Sequence, residues 1–196
     1  MIIPIDRKYN EQNMQEVLPI LAGLEHFVFY GSLLGLIREG DLLEKDDDID
    51  LLINMKHFDE VLERFGKHRG ALEIKQEGNN LEECRYFRQA TCIRDGVNTY
   101  VDFYFYDDEI KPGHIVDRWN IHGAWTDPNM HILIPKNIIY PIGKKSFEKY
   151  KDLSIPSEPV ACLQFLYGQG WMHPRKKHRE YVQHIKNNRP YYLNVK

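Results

Sequence analysis

The chain has 196 residues, a formal net charge of −3, 42% hydrophobic and 28% charged residues, which fits one globular domain of residues 1–196 with a well-buried core. No apolar run approaches the roughly 20 residues that span a bilayer, and Met1–Asp6 lacks the charged-then-apolar layout of a signal peptide. A chain acidic overall is not built to bind nucleic acid, although 39–60 is acidic and 173–189 is basic, with Arg175, Lys176, Lys177, Arg179, Lys186 and Arg189.

Met14, Val17, Leu18, Leu21 and Leu24 recur at helical spacing and predict a helix over 11–25, which Pro19 kinks or splits. A short strand follows over 26–30, then a helical segment over 33–37 closed by Gly40. Residues 48–54 read as the next strand and 56–67 as an amphipathic helix (Phe58, Val61, Leu62, Phe65). Strands are predicted near 71–76, 83–94 and 98–106. The stretch 107–157 is rich in turns, with short strands near 114–118 and 131–134 and no long helix. Helices return over 158–167, ended by Gly168, and over 175–187 after Pro174. The order predicts an α/β fold with a mixed sheet, flanking helices and a small helical C-terminal region. The catalytic core falls at about 12–106, and the turn-rich and helical part at 107–196.

The three cysteines, Cys84, Cys92 and Cys162, are odd in number and have no Cys-x-x-Cys pair. They predict free thiols in a reducing, cytoplasmic setting. Cys84 and Cys92 with His114, His122 and His131 have no zinc-ligand spacing, so ordinary strand and loop roles are expected.

The chemistry concentrates in Asp46-Asp47-Asp48-Ile49-Asp50. Side chains two apart on a strand share a face, so Asp48 and Asp50 present their carboxylates together. The run leads straight into Leu51-Leu52-Ile53, and acids set against a buried strand demand a cation or a shared proton. Hard oxygen ligands of this kind suit Mg²⁺ or Mn²⁺ beside substrate phosphates. Asp102 alternates with Val101 and Phe103, so it lies on the opposite face from them, where it would complete a metal site or act as a general base. Gly31-Ser32, leaving the first strand, offers backbone N–H groups for a phosphate. Arg38 and Lys45 bracket the following loop, and Arg38 is the better phosphate fork. The corner Tyr167-Gly168-Gln169-Gly170-Trp171 reads most simply as a helix–helix turn packed by its two aromatics. Its functional alternative is a pocket wall that stacks on a base or a quaternary ammonium.

Gly31-Ser32-Leu33-Leu34-Gly35-Leu36-Ile37-Arg38, followed by Asp46-Asp47-Asp48-Ile49-Asp50, resembles the LicD/fukutin family of phosphotransferases. That family shows a Gly-Thr-Leu-Leu-Gly segment, an Arg and an Ile-Pro-Trp-Asp-Asp-Asp-Ile-Asp run. Ile138-Ile139-Tyr140-Pro141, Phe147, Ile155-Pro156 and the stretch from Leu163 to Pro174 are similar to its later motifs, so the resemblance spans about 12–175. Ser32 stands in place of Thr, and Glu44-Lys45 in place of Pro-Trp.

The resemblance implies a nucleotidyltransferase-like fold and metal-dependent transfer of phosphocholine or a polyol phosphate from a CDP-activated donor to a glycan or glycolipid hydroxyl. Asp46, Asp48, Asp50 and Asp102 match the family's metal-binding and catalytic acids, and Gly31 and Ser32 its Gly-Thr turn. Arg38, Tyr167 and Trp171 join the expected substrate-binding set. Peripheral membrane contact is open to the basic C-terminal stretch. The alternatives are an NTP-dependent nucleotidyltransferase releasing pyrophosphate, and a non-catalytic nucleotide-binding protein.

Overall fold

A computed structural model describes residues 6–74, 86–117 and 132–174. The elements run α1 (Arg7–Ile20), β1 (His26–Val28), α2 (Tyr30–Arg38), β2 (Asp50–Asn54), a 3-10 turn (Met55–His57), α3 (Phe58–Lys67), β3 (Glu73–Ile74), β4 (Phe87–Arg94), β5 (Val97–Asp107), β6 (His114–Asp117), β7 (Ile132–Pro135), α4 (Lys136–Ile139), β8 (Gly143–Lys145), β9 (Leu153–Ile155) and α5 (Pro159–Tyr167). The predicted helix over 175–187 lies outside the described residues, as do Cys84, His122 and His131.

Asp6 caps α1 by accepting the Lys8 N–H at 2.9 Å, which satisfies one of the orphan donors of the first turn. Pro19 falls in the last turn, and the chain leaves through Gly23 in the left-handed region at φ +81°. The helix therefore ends near the proline instead of bending around it and running on to 25.

The main sheet has the order β1-β2-β5-β4-β3, with β6 on β5 and β7 on β6. Tyr106 of β5 pairs with both Asn54 and Asp117, so β6 takes over the edge of β5 where β4 ends. β2 and β5 run parallel, and the remaining described pairs are antiparallel. This is the expected mixed sheet. β8 and β9 form a separate two-stranded hairpin that the turn-rich composition of 107–157 had hidden.

β5 is the spine. Its Tyr, Phe and Val residues suit a pleated, buried surface, and the six residues Val101 to Tyr106 are all buried. On one face, Phe58 and Phe65 of α3 lie against Phe105 and Phe103 with ring centroids 4.9 and 5.4 Å apart. Such pairs add about 1 kcal/mol each beyond the area they bury. On the other face, Tyr104 meets Tyr30 and Phe87. Glu25 ties the C-terminal part to the sheet, accepting from the Tyr106 and Tyr140 hydroxyls at 2.7 Å each and from Asn54 at 3.1 Å.

Candidate active site

The site forms where β1 turns into α2 beside the starts of β2 and the matching part of β5. Asp50 opens β2 and is held by that turn. Its N–H donates to Ser32 Oγ at 2.9 Å, and its Oδ2 accepts the Gly31 N–H at 2.8 Å and the Ser32 N–H at 3.4 Å. A carboxylate thus satisfies the free donors at the start of α2, where the helix dipole favours negative charge. This corrects the expectation that the two N–H groups wait for a phosphate: in the folded chain they orient Asp50.

Gly31 lets the two carboxylates approach the chain closely. A Cβ there would sit 3.0 Å from Asp46 Oδ2 and 3.1 Å from Asp50 Oδ2. The residue before it, Tyr30, adopts φ +42°, a left-handed conformation that costs a non-glycine residue about 1 kcal/mol. Its ring stands edge-on to Phe29 and to Tyr104, each at 5.0 Å, and its hydroxyl donates to Asp117, the last residue of β6.

The acidic loop is stitched on both sides. Asn10 of α1 donates through Nδ2 to the carbonyls of Asp46 at 2.9 Å and Asp48 at 3.0 Å. Backbone bonds from Tyr100 N–H to Asp47 (3.0 Å), Ile49 N–H to Tyr100 (3.1 Å) and Asp102 N–H to Ile49 (2.7 Å) continue the β2–β5 ladder into the loop. Asp48 and Asp50 therefore behave as one extended run, although β2 begins only at Asp50.

Asp102 is the register partner of Asp50. Gln89, opposite it on β4, donates to its Oδ1 at 2.8 Å, and the Tyr104 hydroxyl lies 3.5 Å from Oδ2. Asp50 and Asp102 are only 6% and 2% exposed. One carboxylate oxygen from each of Asp48, Asp50 and Asp102 lies within 4.8 Å of the others, and Asp46, Asp47 and Asp48 form a second such group.

This crowding shows in the proton affinities. Burial first, then the charges of Asp46 and Asp102, push the Asp50 carboxyl far above its usual range. Asp48 rises for the same reason, burial followed by the neighbouring carboxylates. Burial lifts Asp102 to about 6 against the opposing bond from Gln89, and burial with the Asp47 charge lifts Asp46 to about 6. Carboxylates this close resist ionising together unless a proton or a cation lies between them. An all-oxygen donor set with two buried members fits a hard divalent cation.

The fold brings Asp46, Asp48, Asp50, Asp102, Gly31 and Ser32 to one place. Arg38 stands two turns up α2 from Gly31, about 10 Å along the axis, and forks onto Glu39 at 2.8 Å. Tyr167 and Trp171 are buried in the hydrophobic core, so the packing role of that corner is the one their placement fits. Cys92 and Cys162 are free, buried thiols, Cys92 lying 3.2 Å from both Asn13 Oδ1 and Thr99 Oγ1.

Sequence reasoning missed Gln89, Tyr104, Tyr30 and Asp117. Tyr104 was legible, two residues beyond Asp102 and so on its face. Gln89 and Asp117 reach the site only through strand register.

Among the described residues no helix is long and apolar enough to cross a membrane. Several solved structures resemble the chain, two of them as follows. One is a lincosamide antibiotic adenylyltransferase, LnuA, with lincomycin bound: 11% identical, covering 92% of this chain and 95% of that one, TM-score 0.49. The other is ANT(2")-Ia in complex with adenylyl-2"-tobramycin: 13% identical, covering 89% and 86%, TM-score 0.49. A comparison with curated proteins gave no match. The family model described as LicD/FKTN/FKRP, nucleotidyltransferase domain, matches residues 23–158. That span runs from β1 to β9 and includes every Asp of the site, but stops before Tyr167 and Trp171. With its acid-bearing strands and Gly-Ser helix start inside the matched span, the chain belongs to the LicD/FKTN/FKRP nucleotidyltransferase-domain family and is a transferase of nucleotide or phosphate-related groups.

Proposed function

We propose that the chain transfers a substituted phosphate, phosphocholine or a polyol phosphate, from a CDP-activated donor to a glycan hydroxyl and releases CMP. The observation that carries the reading is the triad Asp48, Asp50 and Asp102, with carboxylate oxygens within 4.8 Å of one another, inside the span that matches the family. Asp48 and Asp50, flanked by Asp46, would hold Mg²⁺ or Mn²⁺. Such an ion supplies charge neutralisation for the diphosphate and the departing nucleotide.

The protein's own groups do the rest. Gly31 and Ser32 fix the Asp50 carboxylate. Gln89 holds Asp102 by Oδ1, and Asp102 takes the proton of the acceptor hydroxyl as the new P–O bond forms and the bond to CMP breaks. Its proton affinity, raised by burial to about 6, leaves it mostly ionised at neutral pH and ready to accept. The reaction is phosphoryl transfer by positioning and charge.

The test is to incubate the protein with CDP-choline, CDP-glycerol, CDP-ribitol or an NTP, with Mg²⁺ or Mn²⁺, and to measure thermal shift and released product. Stabilisation by a CDP compound, with CMP formed in the presence of a glycan acceptor, is the expected result. Pyrophosphate from an NTP would replace this reading with a nucleotidyl transfer. Stabilisation without turnover across an acceptor panel would leave a binding protein.

A further inference from the structure

Asp117 is fully buried and has no part in the chemistry above, yet it touches the site through the side chain of Tyr30. It ends β6 opposite Tyr106. Two-residue alternation along β5 puts Tyr106, Tyr104 and Asp102 on one face, so Asp117 shares that face. Its carboxylate accepts the hydroxyl of Tyr30, the residue directly before Gly31.

Two features of the pair point to the bond between them. Tyr30 holds φ +42°, which glycine would adopt without strain. A tyrosine kept there is kept for its side chain. The ring alone would serve the contacts to Phe29 and Tyr104, and phenylalanine would make them equally. A buried carboxylate is likewise a costly way to fill space, since an apolar residue would pack there without desolvating a charge. What the hydroxyl–carboxylate bond adds is a fixed side-chain position for Tyr30, and with it a fixed peptide plane between Tyr30 and Gly31. That plane carries the Gly31 N–H, which meets Asp50 Oδ2 at 2.8 Å. With Oδ2 engaged by Gly31 and Ser32, Asp50 Oδ1 takes no hydrogen bond among the described residues and is left for the cluster.

We propose that Tyr30 and Asp117 are a positioning pair: β6, through the Tyr30 hydroxyl, sets the left-handed entry to α2 that aims Gly31 N–H at Asp50 and so fixes which Asp50 oxygen meets a divalent cation. The cation half of this statement rests on the reading of the Asp cluster given above, whereas the positioning half does not.

The experiment has a metal-free and a metal-dependent arm. Amide hydrogen exchange at Gly31 is followed by NMR in wild type, Tyr30→Phe, Asp117→Asn and Asp117→Leu, and Mn²⁺ is titrated into each by calorimetry. Tyr30→Phe and Asp117→Leu are expected to speed Gly31 exchange and weaken Mn²⁺ binding about 10-fold, the usual scale for groups that orient a ligand, with core amides such as Phe103 unchanged. Asp117→Asn keeps an acceptor oxygen for the hydroxyl and is expected to stay near wild type. The Tyr30→Phe/Asp117→Leu double variant should be no worse than either single one. Unchanged Gly31 exchange in both Tyr30→Phe and Asp117→Leu overturns the pair. Uniformly faster exchange across β5 also overturns it, by making the role one of general stability. Faster Gly31 exchange in a protein whose wild type takes no Mn²⁺ upholds the positioning and overturns the cation reading alone.

Discussion

Asp50 and Asp102 face each other as register partners on β2 and β5, the one parallel pair among the described strands. Parallel neighbours point the same way, so two acids at matching positions leave the sheet from one end and on one face. They are fastened separately: Asp50 donates its N–H to Ser32 Oγ and its carboxylate accepts the Gly31 N–H, while the Asp102 N–H donates to the Ile49 carbonyl. The carboxylates are therefore held together against their repulsion.

Asp50→Asn and Asp48→Asn should each lower turnover by at least about 100-fold through loss of a ligand, while the metal-free protein melts no lower than wild type. Each change removes a charge from a group that already resists ionising. Asp102→Asn should lower kcat with little change in donor affinity, because the Asn cannot accept the acceptor's proton. Steady-state kinetics beside calorimetric melting separates these outcomes, and wild-type turnover in Asp50→Asn would refute the ligand role.

Stability should respond to pH in a sense set by two groups of acids. Asp46 and Asp102 have folded-state affinities raised to about 6, and Asp48 and Asp50 are raised further still by burial and the neighbouring carboxylates. The folded state thus holds protons that the unfolded chain, with carboxyls near about 4, has lost, and stability falls as pH rises from about 4 through about 6 and goes on falling above it as Asp48 and Asp50 are forced to ionise. Glu16 and Glu25 act oppositely. Burial works against their ionisation, but bonds from His68, Leu72 and Arg94 to the first, and from Lys56, Tyr106 and Tyr140 to the second, hold both down at about 2. Their contribution is present above the unfolded value and is lost as pH falls from about 4.5 towards 2. Melting of the metal-free protein should peak near about pH 4–5, and saturating Mg²⁺ should move the peak towards neutrality. A curve that Mg²⁺ leaves unmoved would count against cation binding at the cluster.

Two glycines of α2 should fail differently. In Gly31→Ala the new methyl meets carboxylate oxygens at 3.0 and 3.1 Å, ends of side chains that can give way, so cation affinity should drop more than stability. In Gly35→Ala the methyl meets the backbone of Asp41 and Leu43 at 2.8 Å, which cannot yield without moving the loop. Overpacking of that kind costs about 1–3 kcal/mol. Chemical denaturation together with Mn²⁺ titration tells the two apart.

Gln89→Leu removes the bond to Asp102 Oδ1 at 2.8 Å and keeps the volume. A base that has lost its orienting partner should turn over about 10-fold more slowly. The same change deletes the contact opposing the upward push on Asp102, so the acidic limb of the pH–rate profile should move to higher pH. Unchanged kcat and an unmoved limb would make Gln89 a bystander.

Much of the site was legible from sequence because its rules are local. An alternation of two puts Asp48 with Asp50 and sets Asp102 against Val101 and Phe103 whatever surrounds them. A Gly-Ser step after an apolar strand marks a helix start, and apolar runs behind the acids mark buried strands. Tertiary structure alone decided the rest. Pairing β2 with β5 across some fifty residues of chain made a triad of separate acids, and the β4 and β6 registers delivered Gln89 and Asp117, because register depends on how distant strands bury their faces. The Gly31 and Ser32 N–H groups went to Asp50 and not to a waiting anion because a buried carboxylate needs donors as much as a helix start needs acceptors. Tyr167 and Trp171 went into the core because large aromatic rings gain more from burial than a turn gains from exposing them.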